Sequence, residues 1–320
     1  MQSGTPFFAG LDLGGTFLKY AVGDAQGHIV YKGKLPSRAN ESQQEVFEVI
    51  FAAVGELQAE AAKRSGVLKA VGVGSPGAID FEHGRLIGST PNIANWADAD
   101  IRGNIQSRFG LPVWADNDAN IMAFAESRQG AAKGFKNVIC ATLGTGIGGG
   151  ILIDGELYRG TRYAGAEIGH MMIVHNGLPC NCGGFGCFEQ YASAPAMVRQ
   201  YVQLLAQAKK PIPEGVSTEM IFRRAAEGET EADRTIDLTL DYLGTGFASL
   251  VNIFNPEAIV IGGGVADAGD GFIARIKQAI EKKAMKPALK GLHVMRAVLG
   301  NDAGFVGAIS LAAEMYAKGK

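Results

Sequence analysis

The order of apolar and polar residues predicts three strands at the start of the chain. The run FFAGLDLGG, at 7–15, is apolar and ends in two glycines, which is typical of a buried strand followed by a tight turn. The stretch 18–35 has strand character on both sides of DAQG at 24–27, and this pattern indicates two further strands joined by a turn.

A helix is predicted next, between Ser42 and Gly66. Its apolar residues recur at helical spacing, which places them on one face. Ser42 and Glu45 stand three residues apart, as in a capping box, and Gly66 supplies the stop. The apolar face consists of Val46, Val49, Ile50, Ala53, Val54 and Leu57.

The rest of the chain alternates between apolar strands and amphipathic helices. The predicted elements are a strand at 69–77, a strand passing into a helix over 111–126, paired strands at 136–144 and 148–160, helices over 232–255 and near 272–285, a buried strand at 258–264, and a closing helix after 300–304. This alternation is typical of an α/β architecture with parallel strand pairing. A strand that ends in leucine and a glycine turn occurs twice, at LDLGGT and TLGTGI, as a faint internal repeat.

Length and charge narrow the class of protein. A chain of 320 residues has room for roughly two domains, each with its own core. Its content of 47% hydrophobic and 19% charged residues is ordinary for a globular protein. The 30 basic and 32 acidic residues leave a formal charge of −2, so the composition carries no electrostatic signature of a nucleic-acid or membrane partner.

The sequence shows neither a secretion signal nor a membrane span. The N-terminal MQSGTPFFAGLDLGG lacks a basic region, and glycines and Asp12 interrupt its apolar run. No stretch approaches the roughly eighteen uninterrupted apolar residues of a spanning helix. We therefore expect a cytoplasmic protein, in which clustered cysteines are metal ligands or redox groups rather than disulfides.

Three of the four cysteines lie close to a histidine. His170, Cys180, Cys182 and Cys187 have the spacing H-x9-C-x-C-x4-C, and such a set offers four ligands to a tetrahedral zinc. A site closed by four protein ligands leaves no position for a substrate, so this zinc would be structural. The alternative is a run of small buried thiols. Cys140 lies in the middle of a predicted strand and is most simply a core residue.

The 45 glycines, about twice the usual share, gather in a few clusters. Three of the clusters follow apolar strands, at LDLGGT, LGTGIGGG and IGGGVA, where backbone amides can bind phosphate oxygens. None matches the Walker or Rossmann pattern, and each alone is explained by a tight turn. Three in one chain suggest a nucleotide that lies in a cleft between two halves.

Two aspartates stand where these strands end. Asp118, in NDAN, lies where a strand passes into a helix, and either Asp118 or Asn117 could be no more than the helix cap. Asp12 comes directly before a glycine turn, where its carboxylate would lie beside phosphates and could serve magnesium, which prefers oxygen ligands.

Together these motifs resemble the ROK family of sugar kinases, and bacterial glucokinases in particular. The resemblance extends from residue 8 to the closing GNDAGFVGA, so it covers nearly the whole chain. The segments that carry it are LDLGGT (11–16), SPG (75–77), NDAN (117–120), LGTGIGGGILIDGELYRGTRYAGAEIGH (143–170) and CNCGGFGCFEQYAS (180–193).

The resemblance implies an actin-like, ribonuclease-H-like ATPase fold, with two α/β domains around a nucleotide and sugar cleft. Residues 1–118 with 304–320 would form a smaller domain, and 119–303 a larger one that carries the zinc loop. A pair of related domains would also account for the faint repeat.

The resemblance also implies roles for individual residues. Asp118 looks like the catalytic base. The residues similar to the family's sugar contacts are Gly77, Asn117, Asp118, Glu167, His170 and Glu189. Those similar to its nucleotide contacts are Asp12, Gly14, Gly15, Thr16, Lys19, Gly144, Thr145, Gly146, Gly262, Gly263 and Gly264. The zinc would fix the loop that holds His170 and Glu189.

The implied reaction is phosphoryl transfer from ATP to a hexose, with Mg²⁺ and a structural Zn²⁺ as cofactors. The 6-hydroxyl of the sugar would attack the γ-phosphorus while Asp118 accepts its proton. Glucose is the favoured substrate, and a homodimer or homotetramer is expected.

The sequence pattern is also compatible with other functions. N-acetylmannosamine kinases share much of the pattern, and fructokinases and N-acetylglucosamine kinases of the family are further possibilities. A sugar-responsive regulator is disfavoured, because LDLGG begins at residue 11 and leaves no room for a DNA-binding module ahead of it. A non-catalytic sugar-binding protein is disfavoured because Asp12 and Asp118 and the three glycine turns are intact.

Overall fold

The computed structural model describes residues 4–90 and 92–319 and divides them into two units by their contacts. Each unit is built from separate parts of the chain. Unit 1 consists of the described residues up to Gly134, of Leu157–Ala166 and of the described residues from Leu299, and unit 2 consists of Phe135–Glu156 and Glu167–Val298.

Strands and helices alternate along the described chain, as the sequence predicts. The strands are β1 (Thr5–Leu13), β2 (Phe17–Gly23), β3 (Ile29–Pro36), β4 (Gly66–Ser75), β5 (Ile79–Asp80), β6 (Arg85–Leu86), β7 (Val113–Asn117), β8 (Val138–Leu143), β9 (Ile147–Ile153), β10 (Glu156–Leu157), β11 (Ala258–Gly262) and β12 (His293–Arg296). The helices are α1 (Gln43–Lys63), α2 (Ile101–Phe109), α3 (Asp118–Gln129), α4 (Glu189–Ala192), α5 (Ala194–Gln207), α6 (Thr218–Ala226), α7 (Thr230–Phe254), α8 (Asp270–Lys283) and α9 (Ala303–Ala317).

The two five-stranded sheets have the same plan. The first has the order β3-β2-β1-β4-β7 and the second the order β10-β9-β8-β11-β12. In each, the first long hairpin is antiparallel and the next two strands add in parallel. Both sheets are therefore mixed, so the predicted parallel pairing holds for only part of each sheet, and the faint repeat in the sequence corresponds to a repeated topology.

Helix α1 begins as predicted but ends earlier. The Ser42 side chain accepts a hydrogen bond from the amide of Glu45, which caps the helix. The Glu45 carboxylate pairs with Arg38, so the structure shows only half of a capping box. The helix ends at Lys63, and Ser65, with φ of +54°, turns the chain into β4. The predicted stop, Gly66, is instead the first residue of that strand.

Helix α9 packs closely on the first sheet because two strand residues are glycines. A side chain at Gly10 of β1 would meet the carbonyl oxygen of Phe305, and one at Gly72 of β4 would meet that of Ala308. With α1 packed on the same strands, β1 and β4 become almost fully buried. The same approach brings the first turn of α9 beside Asp12, since a side chain at Gly304 would meet its carboxylate.

The contacts place α3 in unit 1, whereas the sequence-based boundary at residue 118 assigns it to the larger domain. The reason is a close approach to α9, where a side chain at Gly307 would meet the carbonyl oxygen of Ile121. Helices α2, α4, α5 and α6 are absent from the predicted elements. In α2 only Ile101 and Ile105 are buried, so its apolar pattern is too short to detect.

Among the residues that the structure describes, no helix is both long enough and apolar enough to cross a bilayer.

Candidate active site and metal centre

The end of β7 places three of the predicted sugar-binding residues together in unit 1. The Asn117 side chain caps α3 by accepting hydrogen bonds from the amides of Ala119, at 2.9 Å, and Asn120, at 3.2 Å. Its amide nitrogen donates to the carbonyl oxygen of Gly77 at 3.0 Å. Asn117 is therefore the helix cap, and Asp118, the first helical residue, is left for another role.

The environment of Asp118 suits a base. Its carboxylate accepts a hydrogen bond from the amide of Ala119 at 2.9 Å and lies at the N-terminus of α3. Burial raises the pKa of Asp118 above its ordinary value, while the bonds from Ala119 and Asn117 oppose that shift. A carboxyl whose proton affinity is raised in this way is better able to accept a proton from an alcohol.

Asp12 is the second buried carboxylate of unit 1. It is the next-to-last residue of β1, opposite Lys19 of β2, and lies two residues before the turn Gly14–Thr16. Burial raises the pKa of Asp12 from 3.8 to about 6, the nearby Lys19 opposes the shift, and the charge of Asp118 adds to it. The charge of Asp118 reaches Asp12, so the two carboxylates are near enough to influence each other. A divalent cation would compensate both charges.

The glycine turns after β1 and β8 are each closed by a hydrogen bond within the turn's own backbone. In the turn that follows β1, the amide of Gly14 donates to the carbonyl oxygen of Phe17 at 3.0 Å. In the turn that follows β8, the amide of Gly144 donates to the carbonyl oxygen of Gly146 at the same distance. These two amides close their turns, which leaves Gly15 and Thr16 in one turn and Thr145 and Gly146 in the other as the remaining predicted residues.

The third glycine turn lies beside the second one in unit 2. Gly262 ends β11, and Gly263 takes φ of +85° as the chain enters a short 3₁₀ turn at Gly264. A side chain at Gly263 would meet the backbone of Leu143, which ends β8. Unit 2 therefore brings together the two predicted nucleotide-binding segments 144–146 and 262–264, and only glycine fits between them.

The four predicted metal ligands converge in unit 2. The ligand atoms of His170, Cys180, Cys182 and Cys187 all lie within 4.8 Å of one another. Cys182 Sγ is 3.6 Å from Cys187 Sγ, and Cys180 Sγ is 3.6 Å from His170 Nδ1. A tetrahedral zinc with bonds of about 2.3 Å to sulfur requires sulfurs about 3.8 Å apart. The cluster therefore fits a structural zinc site, with His170 Nδ1 as the nitrogen ligand.

The loop that carries the cysteines is shaped by two glycines with positive φ. Gly183, at +89°, lies in a tight loop in which the amide of Cys180 donates to the carbonyl oxygen of Gly184 at 2.9 Å. Gly186, at +74°, donates its amide to the carbonyl oxygen of Leu178 at 2.7 Å. A side chain at Gly186 would meet the carbonyl oxygen of Val174, so the CGGFGC sequence is needed for this fold of the loop.

Glu189 connects the metal cluster to the glycine turn of unit 2. Its Oε1 accepts a hydrogen bond from the Cys180 thiol at 3.3 Å, and its Oε2 would be 2.8 Å from a side chain at Gly146. The imidazole of His170 approaches the same carboxylate, with Nδ1 3.9 Å from Oε1. Glu167 lies at the other end of the short turn that holds His170, and its carbonyl oxygen accepts the amide of His170. Of these predicted sugar contacts, His170 belongs to the metal cluster and Glu189 lies beside it.

Two further buried acids support unit 1, and the sequence analysis does not find either. Asp116, almost fully buried, pairs with Arg159 at 2.7 Å and also accepts from Asn120 at 3.0 Å. Glu126 accepts hydrogen bonds from the amides of Ala131 at 2.8 Å and Leu299 at 2.9 Å. For Glu126 the available signal was an acid within the apolar pattern of a helix, but Leu299, like Arg159 for Asp116, is distant in sequence.

Comparison with known proteins identifies the relatives of the chain. The model of the ROK family matches residues 8–315. The chain belongs to the ROK family. It is 36% identical over 309 residues to the glucokinase of Halalkalibacterium halodurans, covering 94% of this chain and 93% of that one. It is also 27% identical over 310 residues to the xylose repressor of Bacillus subtilis, covering 97% of this chain and 78% of that one.

A solved structure of the ROK family has the same fold. It is a ROK glucokinase from Streptomyces griseus in complex with glucose and AMPPNP, with a TM-score of 0.77 and 33% identity over 96% of this chain and 99% of that one. The chain accordingly has the actin-like ATPase fold that the resemblance implies. The ROK family thus includes relatives named as kinases and relatives named as repressors.

Proposed function

We propose that this ROK protein is an ATP-dependent hexose kinase that phosphorylates the 6-hydroxyl of glucose, with Asp118 as the general base. The observation that carries the proposal is the position of Asp118. It lies on the first turn of α3, with its pKa raised by burial, and Asn117 rather than Asp118 caps the helix. Asp118 is therefore not needed as the cap, and its carboxylate can serve as a proton acceptor.

Phosphoryl transfer requires alignment and charge neutralisation more than covalent help from the protein. The oxygen of the sugar hydroxyl forms a bond to the γ-phosphorus as the bond from that phosphorus to ADP breaks. Asp118 takes the hydroxyl proton as this occurs, which makes the alcohol a better nucleophile. Magnesium, for which Asp12 is the proposed ligand, would neutralise charge on the donor phosphates.

The donor phosphates are proposed to bind backbone amides of both glycine turns, those of Gly15 and Thr16 in the first and of Thr145 and Gly146 in the second. Lys19 lies next to the first turn, where it pairs in register with Asp12 and donates to the carbonyl oxygen of Asn301 at 3.2 Å. The adenosine is proposed to bind the segment 262–264, because the structure holds it against the end of β8.

Sugar selection is proposed to depend on hydrogen-bonding side chains, with Gly77 contributing its backbone. The side chains are those of Asn117, Asp118, Glu167, His170 and Glu189. When the wrong epimer binds, polar groups of the site are left unpaired. A site built to bond a hydroxyl rejects an analogue that lacks this hydroxyl by about 10⁴-fold or more.

A bound zinc is proposed to order the unit 2 contacts. With Nδ1 directed at the thiols, the imidazole of His170 keeps Nε2 for a sugar hydroxyl, and zinc would supply no chemistry beyond holding the loop. Glu189 follows Cys187 by two residues, so ordering the cysteines also orders this carboxylate. The proposed assembly is a homodimer or a homotetramer.

A coupled assay tests the proposal with MgATP and glucose, mannose, fructose, N-acetylglucosamine or N-acetylmannosamine. We expect the highest kcat/KM for glucose, and NMR of the product should show the phosphate on O6. Turnover that is highest with N-acetylmannosamine would move the substrate to the main alternative within the family. If none of the five sugars is phosphorylated, the proposed kinase activity is refuted.

A sugar-responsive regulator is the second candidate, and its support is the likeness to a xylose repressor. Catalysis distinguishes a regulator from the proposed kinase. A regulator has no use for Asp118 as a base, so it would bind a sugar without ATP turnover and would shift duplex DNA in a gel. The near-complete mutual coverage with the Halalkalibacterium halodurans glucokinase favours the enzyme.

A further inference from the structure

The segment Leu157–Ala166 belongs to unit 1, although the chain on both sides of it belongs to unit 2. It brings Arg159 to the end of β7. The Arg159 side chain is mostly buried, and its Nε and Nη2 both lie 2.7 Å from Oδ2 of Asp116. Because the guanidinium is planar and rigid, two of its nitrogens on one carboxylate fix the direction of the contact as well as its length.

Asp116 connects this arginine to the residues around the proposed base. Its Oδ1 accepts hydrogen bonds from the backbone amide of Asn117 at 2.8 Å and from the side-chain amide of Asn120 at 3.0 Å. In the sequence, Asn117 comes directly before Asp118 and Asn120 two positions after it. One buried carboxylate therefore ties Arg159 to both sides of the turn that carries Asp118.

Arg159 also contacts the chain that follows Gly77. Its guanidinium carbon lies 3.8 Å from the ring centre of Phe81, four residues after Gly77. Since the Asn117 side chain bonds to the Gly77 carbonyl oxygen, the contacts close a ring through Gly77, Asn117, Asp116, Arg159 and Phe81. The two segments that carry Gly77 and Asn117 are thus joined at one place by Asn117 and at another by Arg159.

The segment itself holds Arg159 in a fixed direction. The amide of Gly165 donates to the carbonyl oxygen of Arg159 at 2.9 Å, so the loop between them is closed. Gly160 and Tyr163 turn the chain with φ of +72° and +57°. A side chain at Gly165 would meet the backbone of Arg159, so the loop is as tight as a glycine allows.

We propose that Arg159 is a positioning residue of the sugar site, which acts through Asp116 to hold Asn117 and Asp118 in their working geometry. This role rests on the proposed function, because it serves the proposed base and sugar contacts. A misplacement of about 1 Å can cost about 100-fold in rate. An ion pair that was only structural would stabilise the fold without changing the affinity of the folded protein for its sugar.

Steady-state kinetics and calorimetric sugar binding of Arg159→Ala test this role. The KM and the Kd for glucose should rise by about tenfold, and kcat should fall by about 10-fold to 100-fold. The KM for MgATP should stay near that of wild type. Added guanidinium should restore much of the lost kcat/KM, because it can enter the space left between Asp116 and Phe81, whereas an equal concentration of NaCl should not.

The matched control is Arg128→Ala. Arg128, also in unit 1, pairs with Glu314 through Nε at 2.9 Å and Nη2 at 3.4 Å and lies over the ring of Phe124 at 4.3 Å. It therefore makes the same kinds of contact away from β7. This control should lose stability in urea unfolding but keep the wild-type kcat and KM values. Equal kinetic constants in Arg159→Ala and Arg128→Ala would overturn the positioning role.

A second variant separates positioning from the cost of an unpaired buried charge. D116N/R159M removes both charges, so no buried ion is left without its partner and the protein should fold. It still lacks the link to the segment, so its KM for glucose should remain raised. Wild-type kinetics in D116N/R159M would overturn the proposal.

Wild-type activity in the same assay distinguishes this role from the proposed function. A wild type that phosphorylates no sugar would refute the kinase, and with it the role of Arg159 toward a base. The calorimetric Kd would then still decide whether Arg159 holds the sugar contacts, since an unchanged Kd in Arg159→Ala overturns that role too. An active wild type with an unaffected Arg159→Ala would overturn the positioning role alone.

Discussion

The hairpins that begin the two sheets have the same topology but different chemistry. In unit 1, β1 and β2 are joined by Gly14–Thr16, and in unit 2, β8 and β9 are joined by Gly144–Gly146. The second residue before each turn is Asp12 in the first hairpin and Thr142 in the second. Asp12 faces Lys19 in the register, whereas Thr142 faces Gly148.

This difference shows how two sheets of the same topology can carry different chemical groups. Both turns offer amides at a sheet end, so both can bind phosphate oxygens without any side chain. Unit 1 adds buried carboxylates, which suit a cation and a proton acceptor. Unit 2 adds a loop of thiols and an imidazole, which suits a structural metal and leaves hydroxyl-binding groups around it. Substitutions at matched places in the two units can separate these contributions.

Replacing the proposed base should have the largest effect. Asp118→Asn keeps the size of the side chain but removes the proton acceptor, so kcat should fall by about 10²-fold to 10⁴-fold, with the KM for glucose nearly unchanged. Steady-state kinetics measure both. The control Asp154→Asn alters an exposed aspartate of unit 2 and should keep full activity. Most of the activity remaining in Asp118→Asn would remove the base assignment.

The pH dependence of stability should depend on Asp12 but not on its counterpart Thr142. Because the folded-state pKa of about 6 exceeds the ordinary 3.8, folding holds a proton that the unfolded chain has lost between these values. Stability therefore falls as the pH rises from about 4 to about 6 and stays lower above that range.

Asp12→Asn should remove this penalty. Its free energy of unfolding at pH 8 should exceed that of wild type by up to about 3 kcal/mol, and the difference should vanish near pH 4. Urea titrations at both pH values measure it. Thr142→Val should keep the wild-type pH dependence. If Asp12→Asn were equally destabilised at both pH values, the carboxylate would be structural instead.

The two proposed roles of His170, as a metal ligand and as a sugar contact, can be distinguished by comparing variants of the zinc loop. His170→Ala and Cys182→Ala should both lose zinc, which metal analysis detects, but only His170→Ala also loses a proposed hydrogen bond to the sugar. Its KM for glucose should therefore exceed that of Cys182→Ala by about tenfold. Cys140→Ala, a substitution in β8, should retain the metal. Equal KM values in the two loop variants would leave His170 with the metal role alone.

Helix caps should give the smallest effects. Ser42 caps α1 in unit 1 and Ser217 caps α6 in unit 2, each through a hydrogen bond of 3.3 Å. Ser42→Ala and Ser217→Ala should each cost about 1 kcal/mol in urea unfolding. Ser107→Ala removes a hydroxyl bonded within α2 and should change stability less. A cost for Ser107→Ala as large as that of either cap variant would count against the capping account.

Patterns local in sequence predict much of this fold and part of the candidate site. Strands before the glycine turns were predicted because an apolar run that ends in glycine has few other interpretations, and the spacing of three cysteines was enough to predict a metal cluster, which the structure brings together. Asp116 and Arg159, 43 positions apart, and Glu126 and Leu299, 173 apart, could not be paired from sequence. Their pairing exists only once the fold has formed.

The segment Leu157–Ala166 has a consequence for how the protein can be taken apart. The chain crosses between the units after Gly134, Glu156, Ala166 and Val298, so neither unit can be expressed as one continuous fragment of the gene. A fragment of 135–298 would present Arg159 to solvent, and unit 1 without that segment would keep the Asp116 charge without its partner, at a cost of several kcal/mol. Dissection by truncation should therefore yield insoluble pieces, and an intact chain is needed to study either unit.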